Sequence, residues 1–161
     1  MQSFFLQKFC LMKSVQEEQD AIIKEFELFD DWLDRYEYLI DLSKDLEPLD
    51  PKYKTSEYLI QGCQSRVWLI AEMSGDNVVY RAETDALITK GIISLLIRVL
   101  SGQKPEDIVQ TDLYFIDRIG LRQNLSPTRS NGLLSMVKQM KLYALAFQSV
   151  RANAVRPNPE N

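Results

Sequence analysis

Histidine is absent from all 161 residues. That removes every Ser–His and Cys–His arrangement, in which imidazole is the general base, and the commonest nitrogen ligand for a metal. Cysteine is nearly absent, with Cys10 and Cys63 the two present. Two thiols without histidine cannot complete a four-ligand zinc site or hold an iron–sulfur cluster by thiolates. A disulfide between them is formally allowed. A chain that is 45% apolar does not need one, so a reducing compartment is expected. Basic excess is lacking too: the net charge is −4, and no basic stretch supplies a footprint for nucleic-acid phosphates.

Long hydrophobic runs are also missing. The most apolar segment, from Gly91 to Leu100, is broken by Ser94 and Arg98 and falls short of the roughly 20 residues a bilayer requires. Met1 to Met12 carries Phe4, Phe5, Leu6 and Phe9, but Gln7 and Lys8 interrupt them. No small-residue cleavage site follows, which argues against a secretory leader. Met12 offers an alternative start that would make Cys10 dispensable. The expectation is a cytoplasmic protein with no membrane and no nucleic acid among its partners.

What is present reads as one domain. From Val15 to Phe29 the residues Ile22, Ile23, Phe26 and Phe29 fall at helical spacing. Asp30-Asp31 reads as a cap pair opening a second helix, with Trp32, Leu33, Tyr36, Leu39 and Ile40 on one face and Asp31 paired with Arg35. Pro48 and Pro51 end it. Three strands are expected, at about Ser56–Gln61, Val67–Met73 and Val78–Glu83, with Ser74-Gly75-Asp76-Asn77 as a hairpin turn. Thr84 or Asp85 caps a buried helix to about Leu100, in which Gly91 predicts close approach by another backbone. Pro105 opens a short helix through Val109, and another covers Asp112 to Ile119. Ser126-Pro127 opens the last helix, with Leu133, Val137, Met140, Ala144 and Phe147 as its stripe. The fold class is α+β: a three-stranded antiparallel sheet packed against helices, spanning 15–151 between an N-terminal extension, 1–14, and a tail, 152–161.

Three residues invite chemistry. Cys63 stands in Gln61-Gly62-Cys63-Gln64-Ser65, a turn between expected strands. A lone cysteine is more often a small packing residue. Here a glycine and polar neighbours present the thiol on a strand-end loop instead. Without histidine its thiolate needs a cation, a helix N-terminus or backbone donors, which points to thiol–persulfide or thiol–disulfide exchange. Arg129 lies in the first turn of the last helix, where a cation is electrostatically unfavourable unless it meets an anion or a neighbouring loop. The plain alternative is a surface arginine with its stem on apolar ground. For Asp85, capping alone would suffice.

Four stretches also carry a resemblance. Gly62-Cys63-Gln64-Ser65-Arg66-Val67-Trp68 resembles the signature of the SufE family. Glu83-Thr84-Asp85-Ala86 with Thr89-Lys90-Gly91 is similar to its Ser-Asp-Ala and Lys-Gly block. Pro105-Glu106-Asp107-Ile108 and Leu125-Ser126-Pro127-Thr128-Arg129-Ser130-Asn131-Gly132 follow in the family's order, and the match runs from about Ile22 to Phe147. Ser126 and Thr128 exchange the two hydroxyl residues of the last motif, and Thr84 replaces a serine. Cys10 lies outside the match and is given no role.

The resemblance implies a sulfur acceptor of iron–sulfur cluster assembly that binds no cofactor of its own and is not a stand-alone enzyme. Cys63 would take persulfide sulfur from a pyridoxal-phosphate cysteine desulfurase (SufS-like or CsdA-like), stimulate it, and pass the sulfur to a downstream SUF scaffold. Arg129 would hold the thiol loop or favour the thiolate. Asp85, with Gln61, Gly62, Gln64 and Ser65, would support the loop or meet the partner. The loop would be tucked in when free and swing out to the desulfurase. Two other readings stand beside it: a cluster scaffold of related fold, poorly served by these ligands, and a structural adaptor with an inert Cys63. A homodimer through exposed apolar helix surface stays open.

Overall fold

The computed structural model describes residues 13–155, with side chains as far as residue 152. Cys10 and Met12 lie outside the described residues.

Helix α1, Val15–Glu27, starts at a reciprocal cap: Glu17 N donates to Ser14 Oγ at 3.1 Å and Ser14 N donates to Glu17 Oε1 at 3.3 Å. Helix α2, Trp32–Ser43, is capped by the expected Asp31, which accepts from Leu33 N at 3.0 Å. The expected Asp31–Arg35 pair does not form. Arg35 instead donates to the carbonyls of Phe29 at 2.9 Å and Ile119 at 2.8 Å, acceptors left free where the chain leaves helical structure.

The sheet is a single antiparallel hairpin. Strand β1, Val67–Ser74, pairs with β2, Asn77–Thr84, in a register that places Val67 opposite Thr84 and Ser74 opposite Asn77. Gly75, at φ +61°, takes the first central position of the two-residue turn, the position that needs positive φ in a type II′ hairpin. The expected third strand is not there. Ser56–Tyr58 winds into a 3₁₀ turn, and only a bridge between Leu59 and Trp68 follows. The segment makes its bond from Ile60 N to Val67 O (2.8 Å) and then turns away at Gly62, leaving no length for a ladder.

Helix α3, Leu87–Leu100, is the central element, with Ile92, Ile93, Leu95, Leu96, Val99 and Leu100 all buried. Each such side chain contributes about 1.5–3 kcal/mol on burial. Its cap is Ala86, not Thr84 or Asp85; the Thr84 hydroxyl accepts from Ala86 N at 3.4 Å, and Asp85 points its carboxylate elsewhere. Gly91 faces α2 so closely that a Cβ there would lie 2.4 Å from Leu39 O, the backbone approach its presence predicts.

The short helices are α4, Pro105–Gln110, α5, Phe115–Arg118, and α6, Leu121–Asn124. The helix expected over Asp112–Ile119 is therefore confined to one turn. Gln19, fully buried on α1, explains part of this: it accepts from Phe115 N at 3.2 Å and donates to Asp112 O at 3.2 Å, fixing the approach to α5. Helix α7, Pro127–Val155, runs beyond Arg151. Its inner face buries Leu133, Met136, Met140 and Ala144, and Tyr80 of β2 donates its hydroxyl to Met140 O at 2.6 Å. Hairpin, α3 and the start of α7 thus converge at one end of the core.

Candidate functional site

Residues 61–66 form an arch whose feet are held together by the Leu59–Trp68 bridge and the Ile60–Val67 bond. Gly62 is its pivot. Its φ of +90° disfavours any side chain, and a Cβ would come within 2.5 Å of Ser135 Oγ on α7. Both facts require glycine while the arch lies against that helix.

Cys63 follows and rests on α7. Its thiol donates weakly to Gly132 O, with Sγ 3.5 Å away. It is half-buried and packs against the core cluster, and Met136 lines the same cleft. Burial pushes the thiol's pKa up, with no cation to offset it. In this closed arrangement burial favours the neutral thiol, and Arg129 lines the same cleft.

Beside the thiol opens a cleft of about 60 Å³, lined by Cys63, Gln64, Ser65, Thr89, Thr128 and Arg129 among others. Arg129 is exposed, and its guanidinium makes no ion pair among the described residues; its backbone N–H donates to the Ser126 hydroxyl at 3.3 Å, which caps α7. Asp85 does not line the cleft. It is joined to the arch from outside, its Oδ2 3.3 Å from Arg66 Nε, while the Arg66 guanidinium lies 5.4 Å from the centre of the Trp68 ring. Gln61 is exposed at the entrance of the arch.

The seven residues singled out in the sequence thus separate by place. Cys63, Gln64, Ser65 and Arg129 share the cleft, Gly62 shapes the arch, Asp85 braces it, and Gln61 stands outside. Sequence reasoning missed Gly132, Met136 and Thr89 as neighbours of the thiol. A signal existed for two of them: Arg129, Gly132 and Met136 recur at spacings of three and four and so share one helix face. Thr89 is a polar residue on the buried face of an otherwise apolar helix, which is also readable in retrospect. Among the described residues no group of three or more His, Cys, Asp or Glu side chains is placed to hold a metal ion, and no helix is long and apolar enough to cross a membrane.

Known proteins share this arrangement of fold and sequence. A solution structure of a hypothetical protein from Thermus thermophilus superimposes with a TM-score of 0.69, covering 82% of this chain and 96% of that one at 19% identity, which shows the α+β fold. An uncharacterised SufE-like protein of Rhizobium meliloti is 38% identical over 127 residues, covering 76% of this chain and 91% of its own length. One from Synechocystis is 37% identical over 127 residues, covering 79% and 80%. SufE-like protein 1 of Arabidopsis thaliana, named chloroplastic/mitochondrial, is 42% identical over 128 residues, covering 79% of this chain but 34% of the plant protein. Residues 20–144 match the SufE family model, described as an Fe-S metabolism associated domain. The chain belongs to the SufE family, and its role lies in iron–sulfur metabolism.

Proposed function

We propose that this protein accepts persulfide sulfur on Cys63 from a pyridoxal-phosphate cysteine desulfurase, stimulates that enzyme, and delivers the sulfur for cluster assembly. The observation that carries the reading is the arch itself: a thiol beside a glycine pivot, laid over a polar cleft and held there by weak contacts. Family membership supports the same chemistry.

The arch's hold is light enough to release. One S–H···O contact and the exposed Arg66–Asp85 pair together account for only about 1–2 kcal/mol. The bridge at its feet stays in place when they break, so the thiol moves out on a fixed base. Outside the cleft the burial that keeps it neutral is removed, and the thiolate forms more readily. It then attacks the outer sulfur of the desulfurase persulfide. The new bond joins Cys63 Sγ to that sulfur, the desulfurase S–S bond breaks, and the desulfurase cysteine leaves as thiolate. No net oxidation occurs. Repetition of the same exchange hands the sulfur to a scaffold thiol. The reading places the protein in the cytoplasm beside its desulfurase.

Intact-protein mass spectrometry after incubation with an active cysteine desulfurase and free cysteine tests this. Wild type should gain one sulfur, removable by reductant, and Cys63→Ser should gain none. A wild type that stays unmodified would sink the acceptor role for that desulfurase. The half-burial of Cys63 favours a second reading, an adaptor whose thiol is inert. The same unmodified mass, with desulfurase turnover still stimulated, would support it.

A further inference from the structure

Arg66 ends the arch, and Trp68 follows two residues later, on the same side of an extended chain. The Arg66 guanidinium stands 5.4 Å from the centre of the indole, within cation–π range. The ring itself is well fixed. The Trp68 backbone bridges to Leu59 on one side and pairs with Glu83 of β2 on the other. Glu83 is ion-paired with Lys54 and accepts from Leu49 N at 3.1 Å, and the bond from Lys54 holds its carboxyl below the ordinary value. Lys54 Nζ lies 5.6 Å from the same ring centre. Trp68 is therefore a half-buried ring on a rigid base. Arg66 is not rigid in the same way. Its pair with Asp85 is 67% and 48% exposed on its two sides, too open to solvent to hold the arch alone.

We propose that Trp68 is a positioning residue of the thiol arch: its ring is a fixed platform on which Arg66 rests, and that contact sets how often Cys63 leaves the cleft. The inference deepens the acceptor reading, on which it rests, by naming what restrains the trailing end of the arch. At its other end Cys63 is held by one weak S–H···O contact to Gly132. A cation–π contact at an exposed site is of the same order, so it weighs in the balance between closed and released arch. Trp68 acts through Arg66 and takes no part in making or breaking an S–S bond.

The test is a double-mutant cycle on the whole chain, without a desulfurase. Iodoacetamide reacts with the released thiol, and mass spectrometry of the Cys63 peptide gives the rate apart from Cys10. Trp68→Leu keeps apolar bulk but removes the π face, and should react roughly two- to fivefold faster than wild type, the scale of an exposed cation–π contact. Trp68→Tyr keeps a ring face and should stay within about twofold of wild type. Arg66→Met removes the cation and should be at least as fast as Trp68→Leu. Adding Trp68→Leu to Arg66→Met should give no further increase, because the contact is already gone. Equal rates in Trp68→Leu and wild type would overturn the platform. So would a further increase in the double variant, which would mean that losing the indole loosens the hairpin whatever Arg66 does. If the cycle behaves as expected while an active desulfurase fails to load Cys63, the platform stands and the acceptor reading falls.

Discussion

The thiol of Cys63 rests on the carbonyl of Gly132: Sγ lies 3.5 Å from that oxygen, and a Cβ built on Gly132 would come 3.6 Å from the sulfur, an ordinary contact distance. Two glycines from distant parts of the chain therefore meet the same cysteine under different constraints. Gly62 is forced by backbone conformation and by Ser135, whereas Gly132 is a helical residue with room for a methyl group.

Substitution should separate them. Gly132→Ala is expected to fold normally and to gain about 0.5–1 kcal/mol from helix propensity, with Cys63 still covered. Gly62→Ala would lose about 1–2 kcal/mol if the arch stayed down, through positive φ and the Ser135 clash. So lightly held a segment should instead lift, letting iodoacetamide reach Cys63 several-fold faster than in wild type. Urea melts with alkylation rates on both variants check this. Unchanged stability and unchanged alkylation in Gly62→Ala would contradict the geometry.

The pH dependence of the thiol follows from its burial. Because burial raises the native pKa of Cys63 above its unfolded value, the unfolded chain loses its proton first as pH rises. The stability this contributes is fully present below the unfolded pKa and is lost as pH rises through the native one. Native Cys63 should therefore alkylate with an inflection at higher pH than the denatured chain, and Cys63→Ser should lose part of the alkaline decline in stability. An inflection below that of the denatured chain would mean that a cation reaches the thiol in solution.

Local signals explain what was legible in the sequence. Asp31 before α2, Pro105 at α4, Ser126-Pro127 at α7 and Gly75-Asp76 in the hairpin act within a few residues, and each stands where its chemistry predicts. The errors arise where distant partners decide. Ser56–Gln61 has strand-like residues, but pairing depends on where β1 lies and how soon Gly62 turns the chain. Spacing pairs Arg35 with Asp31, yet its guanidinium goes to two free carbonyls that only the tertiary structure brings near. At the site the thiol, its glycine and Arg129 are readable as motifs. Thr89 is legible only as a polar residue on a buried face; that it lines the thiol cleft depends on how α3 packs.

Asp85 tests whether bracing the arch and meeting the partner are the same task. Its pair with Arg66 is exposed on both sides, so Asp85→Ala should change stability by no more than about 0.5 kcal/mol. If Asp85 belongs to the surface that a desulfurase meets, loading of Cys63 by the desulfurase should change at least several-fold in this variant while loading by inorganic polysulfide stays near wild type. Equal changes in both would assign Asp85 to the arch alone. No change in either would remove it from the site.

Arg98 carries the strongest claim about what holds the domain together. From α3 its guanidinium grips Glu25 of α1 with two bonds, at 2.6 and 3.0 Å, and Glu18 with a third at 3.1 Å, while Tyr38 of α2 donates to Glu25 at 3.1 Å. Three helices are thus tied at one partly buried arginine. Burial pulls the pKa of Glu25 upward, but the hydrogen bond and charge of Arg98 outweigh it and leave Glu25 below the ordinary value. A depressed carboxylate contributes stability that is present above its unfolded pKa and is lost as pH falls through the folded one. Arg98→Leu leaves two carboxylates close together without their cation. It should cost about 1–2 kcal/mol at neutral pH, less than a fully buried pair because solvent reaches these side chains. The variant should also lose part of the acid-limb slope, so that its deficit shrinks as pH drops below the glutamate range. Urea melts of both proteins across that range decide it: a deficit independent of pH would mean that Arg98 acts through the packing of its stem and not through Glu25.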